Sequence, residues 1–147
     1  MNLAWQDEKI WRGLLDGSHC PICVRGKPLD IVAELSASWV TAGQMAPLPG
    51  YPAVVSKRHV VGPFELSIRE QMAFWVDALH AAKALFDLFQ PIKMNYEIHG
   101  NTIPHLHMHL YPRAKDDPYA GGPIDPRRTS FSRTAADLEC IRRALEP

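Results

Sequence analysis

Three histidines alternate with apolar residues in the segment PHLHMHLYPR, and this alternation strongly limits how the chain can fold. Successive side chains of a β-strand point to opposite faces, so His105, His107 and His109 share one face if the segment is extended. The intervening leucines and methionine then face the other side, where a hydrophobic core would cover them. The pattern therefore predicts a strand from His105 to Tyr111 with one polar and one buried face.

A long helix is the second predicted element. Ser67 and Glu70 form a capping box, and Pro91 ends the helix. Apolar residues follow at helical spacing, which predicts a stripe that faces the core: Ile68, Met72, Trp75, Val76, Leu79, Ala82, Phe86 and Phe89. Further strands are predicted at 31–41, 53–56 and 93–99, and flanking helices at 6–16 and 135–145. We expect an α+β fold, with an antiparallel β-sheet, one long packed helix and flanking N- and C-terminal helices.

Composition limits the classes of protein and ligand. With 147 residues and 46% hydrophobic content, the chain fits one domain over residues 1–147. Sixteen Lys and Arg balance sixteen Asp and Glu, so no excess positive charge is available to hold a long nucleic acid. The balanced charge fits a small anionic ligand better than a long nucleic acid.

No apolar run resembles a signal peptide or a membrane span, so we expect a cytoplasmic protein without a membrane partner.

The cysteines indicate a metal site or free thiols. There are three of them, with Cys20 and Cys23 in CPIC and Cys140 alone, which argues against a secreted disulfide framework. CPIC followed by a glycine has the shape of a zinc knuckle, although two thiolates do not complete a tetrahedral site. The alternatives are a reduced pair of buried thiols or a redox pair, and no βαβ pattern surrounds the cysteines to favour the latter.

His105, His107 and His109 form what we call the histidine row. A catalytic role for this row is favoured over a packing role, because imidazole titrates near neutrality and can attack phosphorus to give a covalent phosphoramidate. Asn101, Thr102 and backbone amides of the preceding turn are candidates to stabilise the phosphoryl oxygens. A different enzyme class stays open, in which the three histidines hold a catalytic metal. A nucleotide-binding protein with incidental turnover is the third possibility. The segment 114–128 is predicted to be an ordered surface loop that can cover a site.

HGNTIPHLHMHLYPR resembles the signature of the histidine-triad (HIT) family. The stretch LPGYPAVVSKRHVVGPFEL is similar to the segment that precedes this signature in the family, and with CPIC the resemblance spans residues 20 to 113. It implies a nucleotide hydrolase or nucleotidyltransferase. His107 would be the nucleophile, transiently nucleotidylated at the α-phosphate, and His109 would orient it or share its protons. The implied substrates are dinucleoside polyphosphates or nucleoside phosphoramidates.

The same resemblance implies the substrate contacts. Asn101 would contact the transferring phosphate, although most relatives carry Gln there, and the Asn side chain is one methylene shorter. Thr102 would donate a hydrogen bond to the phosphate. Asn95 on the preceding strand would be a further substrate contact, with a weaker match to the family pattern. Tyr51 occupies a position where many members have a histidine. Arg113, directly after the row, is a further candidate for a phosphate contact, although surface charge is the commoner role for such arginines.

Some members of the family complete a structural zinc site with histidines, and the resemblance implies the ligands Cys20, Cys23, His59 and His105 here. This assignment removes His105 from catalysis. Several members act as dimers, so a homodimer is a further expectation. We expect His19, His80 and His99 to be ordinary surface or structural histidines.

Overall fold

The computed structural model describes residues 3–147, and its centre is a five-stranded antiparallel sheet with the strand order β1-β2-β4-β6-β5. The strands of this sheet are β1 (Ile31–Glu34), β2 (Ser38–Thr41), β4 (Ala53–Ser56), β5 (Lys93–Glu97) and β6 (His107–Arg113). Two short strands, β3 (Met45–Ala46) and β7 (Phe131–Ser132), form a separate ribbon.

Four α-helices accompany the sheet in the described residues: α1 (Glu8–Leu15), α2 (Pro21–Arg25), α3 (Ile68–Phe89) and α4 (Ala135–Ala144). Single turns of 3₁₀ helix occur at Ala4–Gln6 and Pro63–Glu65. The predicted α+β architecture is confirmed. No helix within residues 3–147 is both long enough and apolar enough to cross a bilayer.

Strand β6 divides the molecule into a core side and a site side. Met108 and Leu110 are buried in the main core, together with Val54 of β4 and inward residues of α3. His107 and His109 point to the opposite face, where they lie across from Val55 and Ala53 of β4. The predicted alternation of this segment is therefore confirmed, and the core on one side fixes which face the imidazoles occupy.

Three predicted strands have different limits, and the smallest difference is in β5, which ends at Glu97 rather than at His99. The predicted strand 31–41 is a hairpin, because β1 ends at Glu34 and β2 begins at Ser38. Strand β6 begins at His107 and continues to Arg113, so His105 lies just before the strand rather than within it. The register of His105 is set by Leu106, whose N–H donates to Val60 while its carbonyl accepts from Ser56.

The long helix α3 begins as predicted, with the Ser67 side chain accepting from the N–H of Glu70. The predicted core-facing stripe is wrong, because most of its residues are exposed: Ile68, Met72, Trp75, Val76, Leu79 and Phe86. Of that stripe only Ala82 is fully buried, while Phe89 packs partly buried against the core. The buried face is instead Phe74, Asp77, Ala78, Ala81, Ala82 and Leu85.

Close packing explains why α3 presents this face. Alanines at 78, 81 and 82 have short side chains, so the helix backbone can approach the sheet closely. Asp77 fixes the rotation further, because its carboxylate accepts from Ala37 N–H at 2.7 Å and from Ser38 Oγ at 2.8 Å. A buried acid satisfied by the β1–β2 turn is a tertiary feature that helical periodicity does not reveal.

Candidate functional site

His107 is held in one tautomer by the backbone. Its Nδ1–H donates to the carbonyl oxygen of His105 at 2.6 Å, and a carbonyl can only accept. Burial lowers the pKa of His107, with the bond to His105 partly opposing this effect, so the ring is neutral at neutral pH. The free lone pair therefore belongs to Nε2. This is the form of imidazole that can attack an electrophile.

His109 lies next to His107, with ring centroids 4.7 Å apart and the planes nearly perpendicular. Burial lowers the pKa of His109 to about 3, and His107 and His99 add to the decrease. Its Nδ1 bonds to the hydroxyl of Tyr51 at 2.7 Å. Because burial raises the pKa of Tyr51, the hydroxyl keeps its proton and can donate it to Nδ1, which leaves Nε2–H of His109 as a donor.

A cavity of about 440 Å³ opens beside these two imidazoles. Its walls come from the beginning of β6, the connection that follows β5 and the distal part of the predicted surface loop. The lining residues are His99, Gly100, Asn101, Thr102, Ile103, His107, His109, Pro123, Ile124, Asp125, Pro126 and Arg127. Of the segment 114–128, residues 123–127 therefore lie at this cavity. The volume suits a small ligand.

The predicted phosphate contacts separate into two places. Asn101 and Thr102 are exposed on the cavity wall, where their side chains can reach a ligand beside His107. Asn95 lies on β5 opposite Tyr111 and is not among the lining residues of this cavity. Tyr51 is joined to the site through His109.

Arg113 organises the loop instead of lining the cavity. Its guanidinium donates two hydrogen bonds to Asp117, at 2.7 and 2.9 Å, and a third to the carbonyl of Tyr119. The pair is largely buried, and the Arg113 guanidinium holds the pKa of Asp117 below its usual range. Arg113 therefore anchors the segment whose distal part reaches the cavity.

Four potential metal ligands converge at the other end of the histidine row. Cys20, Cys23, His59 and His105 each offer one atom, and all four atoms lie within 4.8 Å of one another. Nδ1 of His105 is 3.1 Å from Nδ1 of His59 and 3.5 Å from Sγ of Cys20. Ligand atoms around a tetrahedral zinc are separated by about 3.3–3.8 Å, given the usual Zn–N and Zn–S bond lengths. The cluster fits a metal ion.

The outer contacts of the two histidines support this fit. Nε2–H of His105 donates to the carbonyl of Ser56 at 2.7 Å, and Nε2–H of His59 donates to that of Leu15 at 2.9 Å. Both rings therefore present an unprotonated Nδ1 to the cluster, because the bond from Nε2–H to a carbonyl fixes the tautomer, as is usual for histidines that bind a metal. Burial, with Cys20 adding to it, raises the pKa of Cys23 to about 11, a cost that a bound cation would offset.

The family model described as "HIT domain" matches residues 26–116, well over half of the chain. The chain belongs to the HIT family. No curated protein matches it. Among solved structures, it is similar to histidine triad proteins from Bradyrhizobium japonicum (22% identity, TM-score 0.67, covering 78% of this chain and 86% of that one) and Marinobacter aquaeolei (22%, 0.67, 80% and 85%). A Zn-bound histidine triad family protein from Mycobacterium smegmatis is also similar, at 19% identity and TM-score 0.63, covering 87% and 94%.

At these identities the solved structures show the HIT fold alone, so the site of this HIT chain rests on its own geometry. Two separate groups emerge from the predicted residues. His107, His109, Asn101 and Thr102 share the cavity, whereas His105 joins the cysteines and His59 in the metal cluster.

Sequence reasoning missed His99 as a site residue. Its ring lies 5.0 Å from that of His109, it lines the cavity, and its Nε2 bonds to Glu97 at 2.8 Å. The signal was available in the alternation of β5, since Asn95, Glu97 and His99 follow one another at a spacing of two and Glu97 pairs with His109.

Proposed function

We propose that this HIT protein is a nucleotide hydrolase or nucleotidyltransferase that works through a covalent nucleotidyl-His107 intermediate at the α-phosphate. The observation that carries this proposal is the bond from Nδ1–H of His107 to the carbonyl of His105, beside a cavity. The bond holds the ring in the tautomer whose Nε2 lone pair is free. In the alternative in which three histidines hold one catalytic metal, His105 would converge with His107 and His109. Nδ1 of His105 instead lies in the cluster with the cysteines.

The reaction has two displacements. In the first, the Nε2 lone pair of His107 forms a bond to phosphorus, and the bond from phosphorus to the leaving group breaks with its electron pair on that group. In the second, water attacks phosphorus and the P–N bond breaks, returning its electron pair to Nε2. A second nucleotide or another acceptor in place of water would make the protein a transferase.

Donors on the cavity wall stabilise the charge that develops on the phosphoryl oxygens. Nε2–H of His109, the amide of Asn101 and the hydroxyl of Thr102 serve this role, since all three side chains belong to the same cavity. Ile103 and the proline-rich segment 123–126 give the cavity an apolar wall, which suits a nucleoside. Nucleotides of the dinucleoside polyphosphate or phosphoramidate type are the substrates to test.

The direct test is covalent trapping. Wild-type protein is mixed with nucleotides radiolabelled at the α-phosphate, quenched within one turnover and analysed by peptide mass spectrometry. We expect label on His107, and we expect His107→Asn to abolish both label and turnover while keeping nucleotide binding. His80→Asn, which changes an exposed histidine of α3, serves as the matched control.

The alternative functions give different results in this experiment. Turnover that leaves no adduct on the wild type and stops when a chelator removes metal from folded protein would favour a metal-dependent hydrolase. Turnover that survives in His107→Asn would contradict both the covalent mechanism and a catalytic metal held by the three histidines. Binding of dinucleoside polyphosphates or nucleoside phosphoramidates without turnover of any of them would favour a regulatory binding protein.

Zinc is the metal that the cluster of Cys20, Cys23, His59 and His105 suits best, because two thiolates and two imidazoles in a closed tetrahedral set are typical of structural zinc. Zinc would join α2 to the segment before β6 and hold His105 there. It would supply stability rather than chemistry, since the four protein ligands leave no open position. Metal analysis of the purified protein should give one zinc per chain.

The outward face of α3 supports a homodimer. Seven large apolar residues lie exposed along this helix: Ile68, Met72, Trp75, Val76, Leu79, Phe86 and Leu88. A contiguous run of exposed apolar residues on a helix opposite its core face is a common interaction surface, and a second copy of the chain is the partner always present. Sedimentation should give a dimer that Val76→Glu with Leu79→Glu dissociates, whereas Leu29→Glu, at an exposed apolar residue outside α3, leaves it intact.

The state of the cysteines agrees with the expected cytoplasmic location. All three are free, and two of them belong to the metal cluster. Thiols in this state persist in reducing compartments.

A further inference from the structure

His99 and Glu97 form a pair at the edge of the cavity. Nε2–H of His99 donates to the Glu97 carboxylate at 2.8 Å, because an ionised carboxylate can only accept. The same carboxylate accepts from the backbone N–H of Ile124 at 3.2 Å, so the pair also joins β5 to the covering loop. Nδ1 of His99 has no hydrogen-bond partner within residues 3–147, and the ring lines the cavity.

The covalent reaction needs a proton donor that the other two imidazoles do not provide. His107 is the nucleophile, and its Nδ1–H is already donated to the backbone. His109 is bonded to Tyr51, and with its pKa lowered to about 3 by burial it carries no extra proton to release near neutrality. His99 is the remaining imidazole of the described cavity lining.

We propose that His99, oriented by Glu97, is the general acid of the first displacement and the general base of the second, and that the site therefore acts on nucleotides with a poor leaving group. This inference rests on the proposed function. The substrate class is a nucleoside monophosphate joined to an amine or an alkyl alcohol. A leaving group of this kind cannot depart at a useful rate without a proton, whereas a polyphosphate can.

The charges around His99 agree with this class. The ionisable groups that contact it or share its cavity come from β5, β6 and the covering loop, and they are Glu97, His107, His109, Asp125 and Arg127. Arg127 is exposed and paired with Asp125 at 2.9 Å. A polyphosphate chain would bring several negative charges to two carboxylates and one arginine that is already paired. A single transferred phosphate carries less negative charge than a polyphosphate chain and therefore needs fewer positive groups around it.

Each proton has a defined path. In the first displacement His99 holds protons on both ring nitrogens, and Nδ1–H passes to the leaving oxygen or nitrogen as its bond to phosphorus breaks. The ring ends neutral, with Nε2–H still bonded to Glu97. In the second displacement Nδ1 takes a proton from the attacking water, the P–N bond to His107 breaks, and His99 regains its doubly protonated form. The carboxylate compensates that positive charge, as in other carboxylate–histidine pairs.

The test compares leaving groups. His99→Asn and Glu97→Gln are assayed on an alkylamine amidate of AMP and on the p-nitrophenyl ester of AMP, whose phenolate departs unprotonated. For His99→Asn we expect kcat/KM to decrease by about 10²-fold or more on the amidate and by less than about 10-fold on the ester. Glu97→Gln should show the same pattern with smaller losses. With the ester, His99→Asn should also accumulate nucleotidyl-His107, because release lacks its base.

Equal losses on the two substrates, or no loss on the amidate, would overturn the role of His99. His80→Asn should behave as the wild type on both substrates. The two proposals fail separately: wild-type label on His107 with an unaffected His99→Asn variant removes only the proton-transfer role. Absence of His107-dependent turnover removes the covalent mechanism and this inference together. If His99→Asn is unstable, the substrate dependence of Glu97→Gln decides the question.

Discussion

The histidine row has a structural end, His105, and a reactive end, His107 and His109, and the two ends have different surroundings. His105 is 1% exposed, and its Nδ1 points into a cluster with two cysteines and His59. His107, two residues on, lines an open cavity and has its Nδ1 occupied by the backbone. The nitrogen left free on each ring is set by the carbonyl that the other nitrogen contacts, Ser56 for His105 and His105 itself for His107. Neighbouring carbonyls thus separate a structural end from a reactive end.

The largest expected effect lies at the structural end. Cys20→Ser replaces a fully buried ligand and should release the metal, lowering the free energy of unfolding by at least about 4 kcal/mol. Metal analysis and urea denaturation measure the two effects. Cys140→Ser, at an exposed cysteine outside the cluster, is the matched control and should change neither. A Cys20→Ser variant as stable as the control, with equal metal content, would mean that the cluster holds no structural ion.

The second effect is a pH dependence of stability that comes from His109 at the reactive end. The pKa of His109 is lowered to about 3 by burial, whereas the pKa of an unfolded histidine is about 6.5. Between these values the unfolded chain binds the additional proton, so stability is fully present above the unfolded value and is lost as the pH falls. Lowering the pH from about 7 to about 5 should cost about 2 kcal/mol from this residue.

Urea denaturation at the two pH values, for wild type and His109→Gln, measures this contribution. The wild type should lose more stability on acidification than the variant. Any release of metal at low pH is common to both proteins and cancels in the difference. Equal losses in the two proteins would show that His109 is not held neutral by burial.

The sequence was sufficient for the features that depend on local pattern. The alternation at 105–110 predicted the orientation of β6, and the Ser67 and Glu70 pair predicted the start of α3. The ligands of the cluster came from the family resemblance, and the structure brings these four residues together. Local patterns and motifs succeed here because each is decided by residues near one another in the chain or by a recognisable signature.

Tertiary packing decided what the sequence did not reveal. The apolar stripe from Ile68 to Phe86 is more hydrophobic than the alanine-rich face of α3, yet the alanines face the sheet. Helical periodicity gives two apolar faces and no rule for choosing between them. For His99 the alternation along the chain indicated the face that it shares with Glu97, but its proximity to His109 also depends on the register of β5 against β6.

A smaller effect concerns the bond that orients His109. Tyr51→Phe removes the hydroxyl that contacts Nδ1 of His109 at 2.7 Å, so the ring loses its fixed tautomer. We expect kcat/KM to decrease by about 10-fold, the value of one buried hydrogen bond, with metal content unchanged. Tyr96→Phe, on the exposed side of β5, should leave both readouts unaffected. A loss of metal in Tyr51→Phe would contradict the independence of the two ends.

The smallest effect distinguishes two asparagines. Asn101 lines the cavity and is exposed, so its amide reaches a phosphate only through a solvated contact, whereas Asn95 lies opposite Tyr111 outside the cavity lining. Asn101→Ala should therefore lower kcat/KM by about 5-fold, and Asn95→Ala should leave it unchanged. Steady-state kinetics on the same nucleotide measures both variants. A greater loss in Asn95→Ala would place the phosphate nearer to β5 than to the turn before β6, and the donors around His107 would have to be reassigned.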